Sequence, residues 1–421
     1  MPISVLKGEN IEVKLWVPLN KIEDGAQQQI QNVLALPWVE HVNIMPDVHM
    51  GFGVPVGSVV AMRDAVAPGM VGVDIGCGMA AYRTNLTEEW LADPDVRIKL
   101  RERIEGLIPH GTGGGHQNPL EEVLANKELQ EHIQQADQTN CSIQKALQQL
   151  GSLGSGNHFI EVCVDLDHRV WLMLHSGSRN FGLQIADSYG KKAEVLSHNQ
   201  NLPDKKLSAF MRGDPNFDAY WRDLLVAQEY ARFNRELMMG LLIQAFEMER
   251  FCIGNIDIKI NCHHNYAMDE IHGDQTLIVA RKGAISARVG EFGIIPGAMG
   301  RKSFIVEGLG NEESLQSASH GAGRKMSRSK ANKTFSLDDL RATTQGVECY
   351  VGKGVLDEIA LAYKDIDQVM ANQVDLVKPI FELRSILTVK GHDDQRKREH
   401  KQNEKKRDNN RRELRKLKRG K

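Results

Sequence analysis

The segment GVDIGCGM (residues 72–79) sets a carboxylate, Asp74, and a thiol, Cys77, three residues apart on one tight turn. Glycines at 72, 76 and 78 let the backbone come close to whatever those side chains hold. An Asp/Cys pair alone is a weak metal signal and needs partners. Three histidines supply them: His158 in GNH (156–158), His175 in LHSGSR (174–179) and His264 in NCHHN (261–265), each at a junction between an apolar strand and a polar loop. Together they make a mixed oxygen, sulfur and nitrogen donor set, and because a thiolate can bridge two ions a binuclear centre is feasible. Any one of these histidines, taken singly, is more often a hydrogen-bonded loop or core residue than a ligand. Their common placement favours ligation, and composition and spacing then lead as far as a metal-dependent enzyme of undetermined metal.

A second chemical segment, PGAMGRKSFIVEGLGNEESLQSASHGAGRKMSR (296–328), combines glycines and small hydroxyl residues around His320. Such loops expose backbone N–H groups that can cradle phosphates, and Arg324, Lys325 and Arg328 add cations. A neutral imidazole can attack a nucleotide α-phosphate once metal and cations neutralise the developing charge, so His320 is the candidate for covalent modification. Taken alone, the motif favours a mere ligand or turn residue over a modified one.

The elements that must position these groups are strands ending in glycine-rich loops, expected at 54–61, 71–75, 158–164, 170–174, 256–260, 277–280 and 304–306. Helical periodicity is clearest over 223–250, where Leu224, Tyr230, Phe233, Leu237, Leu241 and Ala245 form an ordinary core stripe. Further helices are expected at 88–107, 119–135, 184–196, 337–343 and 355–374, with Ser336 and Asp339 at capping-box spacing. The reading is an α+β fold: a single large catalytic domain (1–391) of mixed and antiparallel sheets around a polar metal-containing cleft, with helical insertions near 88–150 and 184–250.

A chain of 421 residues, 41% hydrophobic and 26% charged, can bury a large core unaided. No run of about 18 to 20 apolar residues suggests a membrane helix, and the charged start lacks a signal-peptide core, so a cytoplasmic location is expected. The six cysteines have no paired spacing, as where thiols stay reduced. Cys163 and Cys252, flanked by apolar residues, read as core filler. The net charge of −2 conceals an asymmetry: the extension 392–421 holds fourteen Lys and Arg against six Asp and Glu, with no aromatic residue. That composition cannot offset the entropy of ordering alone, so the extension is expected to be disordered or a transient helix that attracts nucleic acid without regard to sequence.

Nine motifs share a pattern in order along the chain: MPDVHMGFGVPVG (45–57), GVDIGCGM, GSGNHFIEV (154–162), HSGSR (175–179), HHN (263–265), PGAMG (296–300), SHGAGRKMSR (319–328), AYKDI (362–366) and VKG (389–391). This arrangement resembles the RtcB family of RNA-splicing ligases over about residues 1–391. The resemblance implies an enzyme that uses GTP and two manganese ions to join an RNA 3′-phosphate or 2′,3′-cyclic phosphate end to a 5′-hydroxyl. It implies His320, Cys77, Asp74 and Arg179 as catalytic residues, with Cys77 bridging the metals and Asp74, His158, His175 and His264 completing the coordination. It further implies that guanine nucleotide contacts Asn157, His158, Phe159, Ile160, Glu161, His264, Asn265, Pro296, Gly297, Ala298, Met299, Ser303, His320, Gly321, Ala322, Gly323, Tyr363 and Lys390. Arg179 and Arg328 match arginines that hold phosphates, and Asp47 and His49 match a loop near the metals whose role stays open. The segment HGTGGGH (110–116) is shorter than the family's usual insertion, which bears on the RNA path. The rival readings are a binuclear metal phosphoesterase that opens cyclic phosphate ends without guanylation, and an RNA-binding protein led by its tail.

Overall fold

A computed structural model describes residues 2–8, 11–136 and 142–392. Its centre is an eight-stranded sheet in the order Ile256–His263, Gly78–Thr87, Arg169–Ser176, Phe159–Val164, Val377–Lys390, Ser303–Gly308, Phe292–Ile295, with Glu348–Cys349 added in parallel to Val377–Lys390. Every other pairing in it is antiparallel. A six-stranded sheet runs Ser4–Lys7, Glu12–Leu15, Val39–His49, Val56–Met62, Gln275–Lys282, Asn265–His272, with one parallel pair, Glu12–Leu15 on Val39–His49. Mixed and antiparallel sheets in an α+β unit are therefore what the chain forms, and helices fill both expected insertions.

Alternation of side chains on the central strands decides what faces the site. Ala80, Ile160, Val162, Leu172 and Leu174 bury against the helix layer of Pro94–Leu107 and Phe217–Met248. Their neighbours Met79, Ala81, Phe159, Cys163, Trp171 and Met173 pack on the opposite face. The register sets Met79, His175 and Phe159 side by side across three strands, with Lys390 opposite Phe159. Those four positions form one end of the sheet, and the site is built there.

The helix Phe217–Met248 follows its predicted stripe but also buries four polar residues, Asp223, Gln228, Asn234 and Arg235. Leu337–Thr343 has the expected capping box, with Ser336 and Asp339 exchanging hydrogen bonds. Four secondary-structure expectations fail. Residues 88–107 are not one helix: a short 3₁₀ turn, Glu88–Leu91, ends before Asp93 caps the α-helix Pro94–Leu107. Residues 71–75 are no strand: Pro68–Val71 is a helical turn that Gly72 ends with φ 97°, and the ligand turn follows. Residues 355–374 hold no single helix, because Ile359 and Tyr363 are extended, Tyr363 bridging Arg324, and only Ile366–Ala371 is α-helical. The 119–135 helix divides at Asn126 into Glu121–Ala125 and Lys127–Gln135. Cys163 is buried as expected, whereas Cys252 is exposed. Among the described residues no helix is long and apolar enough to cross a membrane. The basic extension lies outside the described residues beyond His392.

Candidate active site

The Asp74/Cys77 turn is held from beneath by Arg235, whose guanidinium donates to Gly76 O at 2.8 Å and Ser176 O at 3.0 Å. Burial lowers the Arg235 pKa to about 10, still cationic at neutral pH. Gly76 takes φ 71°, and a Cβ there would lie 2.7 Å from the Ala231 methyl, so only glycine lets the turn rest on the helix. Asn234 secures the neighbouring loop, accepting from Gly151 N at 2.8 Å and donating to Ser152 O at 3.2 Å. Gly177 lies so close to Asp74 that a Cβ would meet Oδ1 at 2.3 Å.

Five donor atoms converge above this base. Cys77 Sγ lies 3.1 Å from His175 Nε2 and 3.5 Å from His158 Nε2. His158 Nε2 meets Asp74 Oδ2 at 2.9 Å while its Nδ1 bonds Leu153 O at 2.8 Å. His175 Nε2 and His264 Nε2 stand 3.2 Å apart, although two neutral imidazoles share one proton at most. Among the described residues, Cys77, His158 and His175 form the one group of three metal-type donors within 4.8 Å of one another. Burial, then the neighbouring imidazoles, pushes the pKa of His175 and His264 well below the usual value, leaving their lone pairs free. Burial raises the Asp74 carboxyl, but hydrogen bonds from His158 and Cys77 outweigh it and hold the group below the usual carboxylate range. Burial and Asp74 push the Cys77 thiol far up, so only a cation of high charge density would make it a thiolate here. The buried His264 Nδ1 has no hydrogen-bond partner. This donor set, short of protons and facing inward, fits a metal centre.

His320 stands beside it, its ring 4.8 Å from that of His264. Behind it is fully buried Asp47, whose Oδ2 accepts from the His320 backbone N–H at 3.1 Å and lies 2.6 Å from ring Nδ1. That ring contact is close without meeting hydrogen-bond geometry, and Nδ1 has no other hydrogen-bond partner among the described residues. An Nδ1–H held by a carboxylate leaves Nε2 as the nucleophilic nitrogen. Nearby His49 is part-buried, and its desolvation lowers its pKa to about 4.

A cavity of about 460 Å³ opens from these rings. His175, His264 and His320 line it together with Asn157, Phe159, Glu161, Tyr363 and Lys390. The glycine-rich loops contribute Pro296, Gly297, Ala298, Met299, Gly321, Ala322 and Gly323, and Arg324 and Arg328 close the far side. Other residues expected at a nucleotide lie outside the lining. Ile160 points into the helix-facing core, as the strand alternation requires. Ser303 Oγ accepts from Gly297 N at 3.2 Å and shapes the loop from behind. Asn265 ties Gly283 N to its side-chain oxygen at 2.8 Å, and His158 sits behind His175 with Cys77 and Asp74. Arg179 adopts a left-handed φ of 59°, with its guanidinium lying over Gly154 and Nε 3.3 Å from Ser152 Oγ.

Buried charges at the cavity's far end are compensated. Glu358 accepts from Lys390 at 2.9 Å, Tyr363 OH at 2.7 Å and Arg324 at 3.1 Å. Burial raises its carboxyl, but Lys390, Arg328 and Arg324 outweigh that and bring the pKa to about 2. Glu161 has less help: burial raises it to about 7 against Lys390 and the hydroxyl of Thr388 at 3.1 Å. Asp47, Asn234, Arg235 and Glu358 carry positioning roles that motif reading did not assign. For Asn234 and Arg235 the signal was present as two polar residues on an apolar helix stripe.

A family model described as tRNA-splicing ligase RtcB matches residues 29–391. The chain is 45% identical over 410 residues to a protein of Escherichia coli strain K12 named RNA-splicing ligase RtcB, covering 93% of this chain and all of that one. Proteins named tRNA-splicing ligase RtcB from Nanoarchaeum equitans and Pyrobaculum aerophilum are 32% and 31% identical, covering 91% and 93% of this chain and 96% and 97% of theirs. With the converging donors and the adjacent histidine in place, these matches establish that the chain belongs to the RtcB family.

Proposed function

We propose that this chain is an RNA ligase that uses GTP and manganese to join RNA 3′-phosphate or 2′,3′-cyclic phosphate ends to 5′-hydroxyl ends through a GMP adduct on His320. The observation that carries the reading is one juxtaposition: the His320 ring packs on a metal-type donor, His264, with a buried carboxylate at its other nitrogen, inside a glycine-lined cavity.

In the first step His320 Nε2 bonds to the α-phosphorus of GTP as the bond to the pyrophosphate oxygen breaks, and Asp47 balances the positive charge that the ring acquires. A 3′-phosphate oxygen of RNA then takes the GMP from His320, and the 5′-hydroxyl of the partner strand displaces GMP from that phosphorus. Asp74, Cys77, His158, His175 and His264 would hold two manganese ions, which supply charge neutralisation at the phosphate oxygens. Glu161, when ionised, accepts from the N1–H and exocyclic amine of guanine, with Phe159 and Lys390 alongside. Backbone groups of Gly297 and Gly321–Gly323, with Arg328, suit the phosphates. The basic extension beyond residue 392 adds sequence-blind attraction for RNA.

Incubation with α-labelled GTP and manganese tests this. Acid-labile, alkali-stable label on the protein, absent in His320→Ala, is expected. Opening of cyclic phosphate ends with no label at all would replace the ligase by the metal phosphoesterase.

A further inference from the structure

Arg328 lines a second cavity of about 340 Å³ as well as the first, its guanidinium resting near Gly156 between the two. The second cavity also presents Lys353, Asp357, Ser155 and two rings, Tyr350 and His392. Those rings stack face to face, with centroids 4.1 Å apart and planes within 1°. Tyr350 remains 39% exposed despite that stack. It follows Glu348–Cys349, which pairs with Leu387 and Thr388, so Tyr350 is anchored to the strand that ends at Lys390 in the first cavity. Lys390 and His392 lie two residues apart, one in each cavity, and the two spaces adjoin at that strand end.

The chemistry of this second space is that of a nucleotide. Aromatic faces stack on bases of any sequence, and cations hold the phosphates between them. Asp357 already pairs with Arg328 at 3.8 Å, while Lys353 is exposed and forms no ion pair with another described residue. We propose that this cavity is the subsite for a nucleotide of the RNA strand next to the end being joined, its base on Tyr350 and its phosphate on Lys353 and Arg328. This rests on the RNA-ligase reading.

The test uses the full chain and a short 3′-phosphorylated RNA carrying 2-aminopurine at each of its last three positions in turn, since that base loses fluorescence on stacking. Quenching at one position is expected, together with about tenfold weaker binding and lost quenching in Tyr350→Ala and wild-type behaviour in Tyr350→Phe. Lys353→Ala, at an exposed position that leaves folding alone, is expected to weaken binding and lower the salt slope by about one. Labelling of His320 by GTP without RNA, measured on the same preparations, should be unchanged in all three. Absent label in the wild type removes the ligase reading. Normal label with unaltered RNA affinity in Tyr350→Ala and Lys353→Ala removes the subsite alone. Quenching that emerges only after the chain is cut beyond His392 would show that its own C-terminal segment fills the cavity, and would overturn the proposal.

Discussion

Replacing Asp47 by asparagine isolates the charge behind the proposed nucleophile. Oδ2 of Asp47 serves both the backbone N–H of His320 at 3.1 Å and the ring Nδ1 at 2.6 Å, while Oδ1 is buried without a partner. An amide keeps the shape but has one acceptor. With its oxygen in the Oδ2 place, the amide NH₂ is buried where nothing accepts, at a cost of about 1–3 kcal/mol in stability. Turned over, it sets NH₂ against a backbone N–H, so the first orientation prevails. Imidazole then keeps its tautomer and loses the anion, and a neutral hydrogen bond has about half the strength of a charge-assisted one. Losing about 1–2 kcal/mol as positive charge develops on the ring slows guanylation about 5- to 30-fold. Single-turnover labelling with saturating GTP measures this, and the GTP concentration for half-saturation should stay within about twofold. Asp47→Ala, which also frees the ring to rotate, should be slower still. Labelling of Asp47→Asn at the wild-type rate would refute the idea that this carboxylate supports the nucleophile.

Three further outcomes test the surrounding architecture. Cys77→Ala should abolish labelling and bound manganese, measured by elemental analysis, yet melt within a few degrees of wild type because Arg235 still holds the turn; normal labelling would remove the binuclear arrangement. Glu161, raised from 4.5 to about 7 by burial, binds its proton more tightly folded than unfolded. Ligand-free stability should therefore fall by about 3 kcal/mol as pH rises from about 4.5 through 7, while GTP affinity rises over the upper part of that range as the carboxylate forms. Glu161→Gln should flatten both trends in denaturant and binding titrations, and an unchanged pH dependence would contradict the assignment. Glu358→Gln leaves Lys390 and Arg324 without their shared anion, and about 3–5 kcal/mol of stability should go with it, read as a lowered urea midpoint.

Residue types at strand and loop junctions pointed as far as a metal-dependent enzyme of undetermined metal. Asp74, Cys77, His158, His175 and His264 were legible as donors because ligands need particular atoms, and the glycines around them reported turns that crowd against other backbone. The strong helix Phe217–Met248 and the Ser336/Asp339 box were legible because 3.6-residue periodicity and capping are local. Regions governed by distant partners misled local reading: 355–374 breaks where Tyr363 pairs with Arg324 and delivers its hydroxyl to Glu358, which no helical pattern records. Ile160 sits in a functional motif yet faces the core, since a strand sends alternate side chains to opposite faces whatever the motif. Residues 47 and 320 lie far apart in the chain, and only the folding of Val39–His49 against the loop that follows Ser317–Ser319 makes a carboxylate and an imidazole one unit. Sequence determined which atoms were available for metal and phosphate. Tertiary structure decided which of them meet, because a few ångströms of separation, absent from any linear pattern, set whether two groups share a proton, an ion or nothing.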